Sequence, residues 1–212
     1  MIILDTLLFA IGALLVLFSV GKAVLFFRPS LIETSCLPPR EPEPGAQENA
    51  IAALEHLGFE RFGFKKEVSP LKAGEYGTHA LANVQAGAYA DVGPPASEGE
   101  EAFVFFLSVF EDGAVVLTGN YSRPSKRHAS YTLQGLPGPI RDAWTAHSEQ
   151  VSAFSQRHGQ PLASKSPEAR VRATDTYYVT AAAASRSAFA GPLLRFLLGI
   201  ALSASAVLHA LR

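Results

Sequence analysis

Ala102-Phe103-Val104-Phe105-Phe106-Leu107-Ser108-Val109-Phe110 is followed by Glu111-Asp112-Gly113 and then by Ala114-Val115-Val116-Leu117-Thr118-Gly119-Asn120-Tyr121. Both runs are rich in aromatic and β-branched residues, which predicts two strands. Asp112-Gly113 supplies the positive φ that a two-residue hairpin turn needs. With those two as the central pair, Phe110 faces Val115 and Ser108 faces Leu117. The first strand is apolar on both sides, so it is expected at the centre of a sheet covered on both faces, or with one face toward a membrane.

Upstream, Thr78 to Val92 alternates: Ala80, Ala82, Val84 and Ala86 on one side, His79, Asn83 and Gln85 on the other. That period of two predicts a half-buried strand, broken at Gly87. Phe59, Phe62 and Phe64 open another strand ending near Val68. Gln47 to Leu57 reads as a helix, with Ile51, Leu54 and Leu57 at helical spacing and Gly58 as its stop. Ser69-Pro70 and Gly74 mark one loop, and Gly93-Pro94-Pro95 with Ser97, Glu98 and Glu100 another.

Downstream, Ser122 to Ser130 bears Arg123, Lys126, Arg127 and His128; it reads as a solvated loop, with contact to anionic lipid heads of the inner leaflet as the sharper alternative. Pro139 to His158 carries one stripe through Ile140, Trp144, His147, Val151, Phe154 and His158, closed by Gly159 and Pro161. A further helix opens at Ser166-Pro167-Glu168, an N-cap followed by proline at the first position and an acid in the first turn. Strands grouped in the middle and helices at the ends predict an α+β domain. Its expected form is an antiparallel sheet of four or five strands with helices on one face.

The chain ends set the organisation. Hydrophobic residues make up 48% of the 212 and charged residues 17%, against about 25% charged in an ordinary soluble domain. Before Arg28 only Asp5 and Lys22 are charged, and from Leu193 onward only Arg195 and Arg212. Residues 2–27 are therefore expected to form one transmembrane helix and 191–212 a second, with a Pro-rich linker at 28–46 and the soluble domain at 47–190. The N-terminal run lacks the basic start and short apolar core of a cleaved signal, which favours a retained anchor. Gly199, Ser203 and Ala206 recur at spacings of four and three, a smooth face for a second helix. Lys22, Arg28, Arg40, Arg172 and Arg186 flank the anchors on the inner side against Arg212 outside, so the central domain is expected in the cytoplasm with both termini outside.

The chemical candidates are few. A net charge of -1 gives no long-range attraction for nucleic acid, and no nucleic-acid partner is expected. The single Cys36 excludes an internal disulfide; as a juxtamembrane cysteine it is a candidate for palmitoylation. His147 and His158 stand roughly 16 Å apart along their helix, too far to share one metal. No paired-cysteine, His-x-x-x-His, phosphate-loop or Gly-x-Ser-x-Gly pattern occurs, so no metal or cofactor is expected. Glu111-Asp112 is a turn, not a carboxylate pair.

The expected function is a membrane-tethered cytoplasmic module, more binding than enzymatic, with the bilayer as one partner. Two alternatives stand beside it. One is a membrane-bound enzyme with a site on the sheet face near His79 and His147. The other is a structural subunit that meets a membrane protein through the Gly199 and Ser203 face.

Overall fold

The computed structural model describes residues 2–27, 32–68, 75–95, 97 and 99–210. The Arg28-Pro29 stop, the Ser69–Gly74 loop, Glu98 and the Leu211-Arg212 end lie outside the described residues, as do the side chains of Lys22 and Arg186. The chain divides into two compact units, Ile32–Ala181 and a second made of Met1–Leu31 with Ala182–Arg212.

The larger unit is α+β and built on a mostly antiparallel sheet. Among the described residues the sheet has eight strands: β1 (Glu33–Leu37), β2 (Glu60–Val68), β3 (Glu75–Asn83), β4 (Ala88–Pro95), β5 (Ala102–Val109), β6 (Val115–Gly119), β7 (Lys126–His128) and β8 (Tyr131–Gly135). Their order is β1-β2-β3-β4-β5-β6-β8-β7. All neighbours are antiparallel except β6 and β8, which run parallel. The four or five strands expected from sequence fall short by those with weak patterns. β1 lies inside the stretch expected to be linker, between Arg28-Pro29 and Pro38-Pro39. β7 is three exposed basic residues, and β8 is a short Tyr-Thr-Leu-Gln-Gly run. None is long enough to display a period by itself; each is fixed by a neighbour already in place.

The β5–β6 hairpin differs from expectation by one residue. Val109 pairs with Val115, Ser108 with Val116 and Leu107 with Leu117. The loop is a three-residue one. The Gly113 N–H donates to the Phe110 carbonyl at 3.0 Å, the Phe110 N–H to the Ala114 carbonyl at 3.0 Å, and Gly113 has φ +82°. The Asp112 carboxylate accepts from the Ala114 N–H at 3.0 Å. This is a turn followed by a left-handed glycine, which favours a bulged hairpin over the two-residue form.

The faces of the sheet follow from the register. Leu81, Ala88, Ala90, Val92, Ala102, Val104 and Phe106 share one face with buried side chains of the second and third helices, α2 (Ala46–His56) and α3 (Ile140–His158). Ala50, Ile51 and Leu54 of α2 and Ala143 of α3 fill the layer, with Phe59 joining it at the end of α2. Trp144 closes it by an edge-on contact with Phe59, centroids 4.9 Å apart. The opposite face carries Lys65, Tyr89 and Asp91, and there the first part of α4 (Pro167–Ala210) docks. Helices thus lie on both faces, not on one. The reason is in β4: Ala88, Ala90 and Val92 point one way while the equally buried Tyr89 and Asp91 point the other, and both sets need a cover.

The smaller unit pairs α1 (Ile2–Phe27) with the end of α4. A Cβ placed on Gly12 would lie 2.7 Å from the Gly199 carbonyl, and one placed on Gly199 would lie 2.7 Å from the Gly12 carbonyl. The backbones therefore touch where side chains are absent. The Gly199 and Ser203 face is occupied by α1 of the same chain. Gly191–His209 is long and apolar enough to cross a membrane; the apolar part of α1 among the described residues, Thr6–Val20, is shorter than a span. Of the two expected flanking helices, one therefore has the length and apolarity of a span, and the second does not meet that measure among the described residues.

Candidate buried charge cluster and histidine sites

A lone acid inside an apolar strand needs a partner. Ala88-Tyr89-Ala90-Asp91-Val92 is such a strand, and Asp91 is wholly buried. Isolated, its carboxylate would cost several kcal/mol to desolvate. Two cations meet it: Lys65 Nζ at 2.5 Å from Oδ2 and Arg170 Nη2 at 2.5 Å from the same oxygen. Lys65 comes from β2, two strands away; Arg170 comes from the first turn of α4. Both are themselves almost fully buried. Burial pushes the Asp91 pKa up, but Arg170 and Lys65 more than offset this and hold it below the usual carboxylate range.

The network extends on both sides. Lys65 also pairs with Glu67 at 2.8 Å, and the Tyr178 hydroxyl of α4 donates to Glu67 Oε2 at 2.6 Å. Arg170 Nη1 donates to the Thr174 hydroxyl at 2.6 Å. The guanidinium stands 5.0 Å from the centroid of the Tyr89 ring, whose hydroxyl accepts from the Ser164 N–H at 3.0 Å. Two cations and two anions thus cancel within one layer. Asp91 Oδ1, Arg170 Nε and the Thr78 hydroxyl remain buried without a hydrogen-bond partner among the described residues.

The start of α4 is set locally. The Ser166 hydroxyl accepts from the Ala169 N–H at 3.3 Å and donates to Glu168. This is the N-cap that Ser166-Pro167-Glu168 predicts. From it, Arg170, Ala173, Thr174, Tyr177 and Tyr178 recur on one helical stripe that faces the sheet.

His147 sits at the centre of the other layer, wholly buried among Phe106 and Trp144. Its Nε2 lies 3.0 Å from the Ser108 hydroxyl and its Nδ1 3.2 Å from the Thr118 hydroxyl. The Ser108 hydroxyl in turn donates to the Gly87 carbonyl at 3.0 Å. A carbonyl only accepts, so the proton order is fixed: Thr118 donates to Nδ1, Nε2–H donates to Ser108, and Ser108 donates to Gly87. Desolvation lowers the His147 pKa to about 3. Ser108 therefore spends its only proton on a carbonyl, and His147 offers it no base; this is not a nucleophile–base pair.

His79 lies on the same face, also buried. Its Nε2 lies 3.3 Å from Gln47 Oε1 of α2 and its ring meets Phe64 edge-on, while Nδ1 has no partner among the described residues. Desolvation and then Arg61 lower its pKa. His79 and His147 share no partner. They stand on β3 and against β5, with β4 between, so about 10 Å of sheet separates their strands. His158 caps a different spot, with Nδ1 2.7 Å from Asp112 and Nε2 donating to the Ala129 carbonyl at 3.0 Å. Cys36 is half-buried on β1, and burial raises its pKa. Among the described residues no group of three His, Cys, Asp or Glu is placed to hold a metal ion.

Lys65, Asp91 and Arg170 carry no motif, and sequence reasoning passes over them. The available signal was the isolated acid within Ala88–Val92. Comparison with known families, characterised proteins and solved structures finds no match.

Proposed function

We propose that the chain is a membrane-tethered module that binds a partner protein, a lipid surface or a small ligand, and does not transform a substrate. In this reading hydrophobic helices at both ends hold it in the bilayer, the central domain lies in the cytoplasm and both termini lie outside. One observation carries the membrane part. The helix pair of Gly12 and Gly199 is inside out: its closest approach is between small residues, Gly12 against Gly199 and Ser203, while Leu17 and Phe18 on α1 and Leu194 and Leu208 on α4 are 64–78% exposed. A water-soluble pair would bury those side chains; lipid is the solvent that accepts them. The non-enzymatic part is supported by the closed chemistry of the interior, where the cluster at Asp91 neutralises itself and the Ser108–His147 chain is proton-locked.

The test is extraction and topology. The chain should stay with the membrane through alkaline carbonate and leave it only with detergent; a monodisperse protein in plain buffer would overturn the proposal. Tags on both termini should be open to protease in intact cells, and a tag in the central domain closed. A second reading, an enzyme using His79, draws on its Nδ1, which has no partner among the described residues; activity lost on His79→Gln, with folding intact, would support it.

A further inference from the structure

Between Asp112 and Asp142 the sequence holds no acidic residue, while Arg123, Lys126, Arg127 and His128 fall within six positions of one another. The structure gathers these four on β7 and the segment before it, at one edge of the sheet, and all are exposed. Arg123 donates to the Tyr121 hydroxyl at 3.4 Å, and none of Arg123, Lys126 and Arg127 has an ion-pair partner among the described residues. The segment is anchored at its end, where His158 holds the Ala129 carbonyl.

A row of rings continues from this edge. Tyr121 meets Phe103 edge-on at 6.2 Å between centroids, and Phe103 stacks on Tyr76 at 5.6 Å and 17°. Gly93 and Gly119 leave room for them: a Cβ on either would collide with the Phe103 or the Tyr121 ring. Tyr76, at the end of the row, is 38% exposed. Unpaired cations beside amphipathic rings suit a boundary that is anionic at the surface and apolar just beneath, as lipid headgroups are.

We propose that Arg123, Lys126, Arg127 and His128, with the adjoining Tyr121–Phe103–Tyr76 row, dock on an anionic lipid surface. This rests on the membrane reading above, since a tether keeps the domain within reach of the leaflet and makes a modest surface attraction sufficient. Charge complementarity commits the patch to phospholipid. The alternative occupant, single-stranded nucleic acid, shares the chemistry of cations and rings. A chain of net charge -1 lacks the long-range attraction that such ligands use.

The experiment uses the full chain with Cys36→Ser and an environment-sensitive fluorophore on Ser125→Cys, an exposed position inside the patch. It is incorporated into nanodiscs of phosphatidylcholine alone or of phosphatidylcholine with phosphatidylserine. The expected result is a blue-shifted, solvent-protected label in the anionic discs only, reversed by salt. Each of Lys126→Gln and Arg127→Gln should weaken the docked state about fivefold. An unchanged label in both discs, with the chain incorporated, overturns the inference and leaves the tether standing. Failure to incorporate into any disc overturns both. A label that responds to oligouridylate but not to phosphatidylserine assigns the patch to nucleic acid and overturns the lipid proposal.

Discussion

Replacing Asp91 by Asn tests whether the buried cluster holds α4 to the sheet. The side chain keeps its shape and loses its charge. Asp91 Oδ2 receives both Lys65 and Arg170 at 2.5 Å. Lys65 retains Glu67 at 2.8 Å, but Arg170 is left without a counter-charge, its remaining contacts the Thr174 hydroxyl, the Tyr89 ring and a neutral amide. The substitution therefore strands a fully buried guanidinium, and removing one partner of a buried pair costs about 3–5 kcal/mol. At about 2–4 °C per kcal/mol for a chain of this length, the midpoint of thermal unfolding in detergent should drop by about 10 °C. The double replacement Asp91→Leu with Arg170→Met removes both charges together and should recover most of that loss, because an apolar pair of matched volume has no desolvation cost. A drop of less than about 3 °C for Asp91→Asn, or a double variant no better than the single, would refute the reasoning. The sign with pH follows from the depressed Asp91 pKa: its contribution is complete above the ordinary carboxylate range and is lost as pH falls through the folded value. The difference between wild type and Asp91→Asn should thus be flat around neutrality and shrink in acid.

Three further outcomes are expected. His147, with its pKa lowered to about 3 from the ordinary 6.5, stabilises the fold fully above the unfolded value and progressively less below it. Stability should fall by about 1.4 kcal/mol per pH unit on that account as pH drops from 6.5, and His147→Gln should remove that slope in a pH series of melts. Gly199→Leu places a side chain where the Gly12 carbonyl lies 2.7 Å from a Cβ. It should drive α1 and α4 apart, read as a longer distance between spin labels on Leu17→Cys and Leu198→Cys in a Cys36→Ser background; an unchanged distance would contradict the close-packed seam. Thr118→Val leaves His147 Nδ1 buried without a donor. It should cost about 1–3 kcal/mol in a denaturant melt, and a neutral result would reject the proton order assigned to Ser108 and Thr118.

How far the fold was legible depends on where each element gets its order. α3 and α2 carry their own stripes and glycine stops, and they lie within a residue or two of expectation. β5 carries so many aromatic and β-branched residues that no other element suits it. The hairpin after it was legible in kind but not in register, because Asp112-Gly113 serves both the two-residue and the three-residue turn, and the choice is made by the Gly113–Phe110 hydrogen bond. β1, β7 and β8 were not legible, since each takes its conformation from a partner strand distant in sequence. The second helical layer was missed for a related reason. Arg170 on a helix reads as a solvated residue until Asp91 is known to face it. His147 was legible as a core residue from its apolar stripe, whereas His79, on the polar side of its alternating strand, reads as solvent-facing and is buried instead. Their partners Ser108, Thr118 and Gln47 come from elements that only the fold brings near.

The sheet is open, with β1 at one margin and β7 at the other. Such margins recruit strands from neighbouring molecules, and confinement to a bilayer would raise the frequency of those meetings. Brevity and charge oppose this. β1 is five residues long and stops at two prolines; β7 is three residues, every one basic. Two copies approaching by their β7 margins would repel before any ladder could form. The same cations that are proposed to meet a lipid headgroup would therefore also keep a crowded population of these domains from stitching itself into a continuous ribbon.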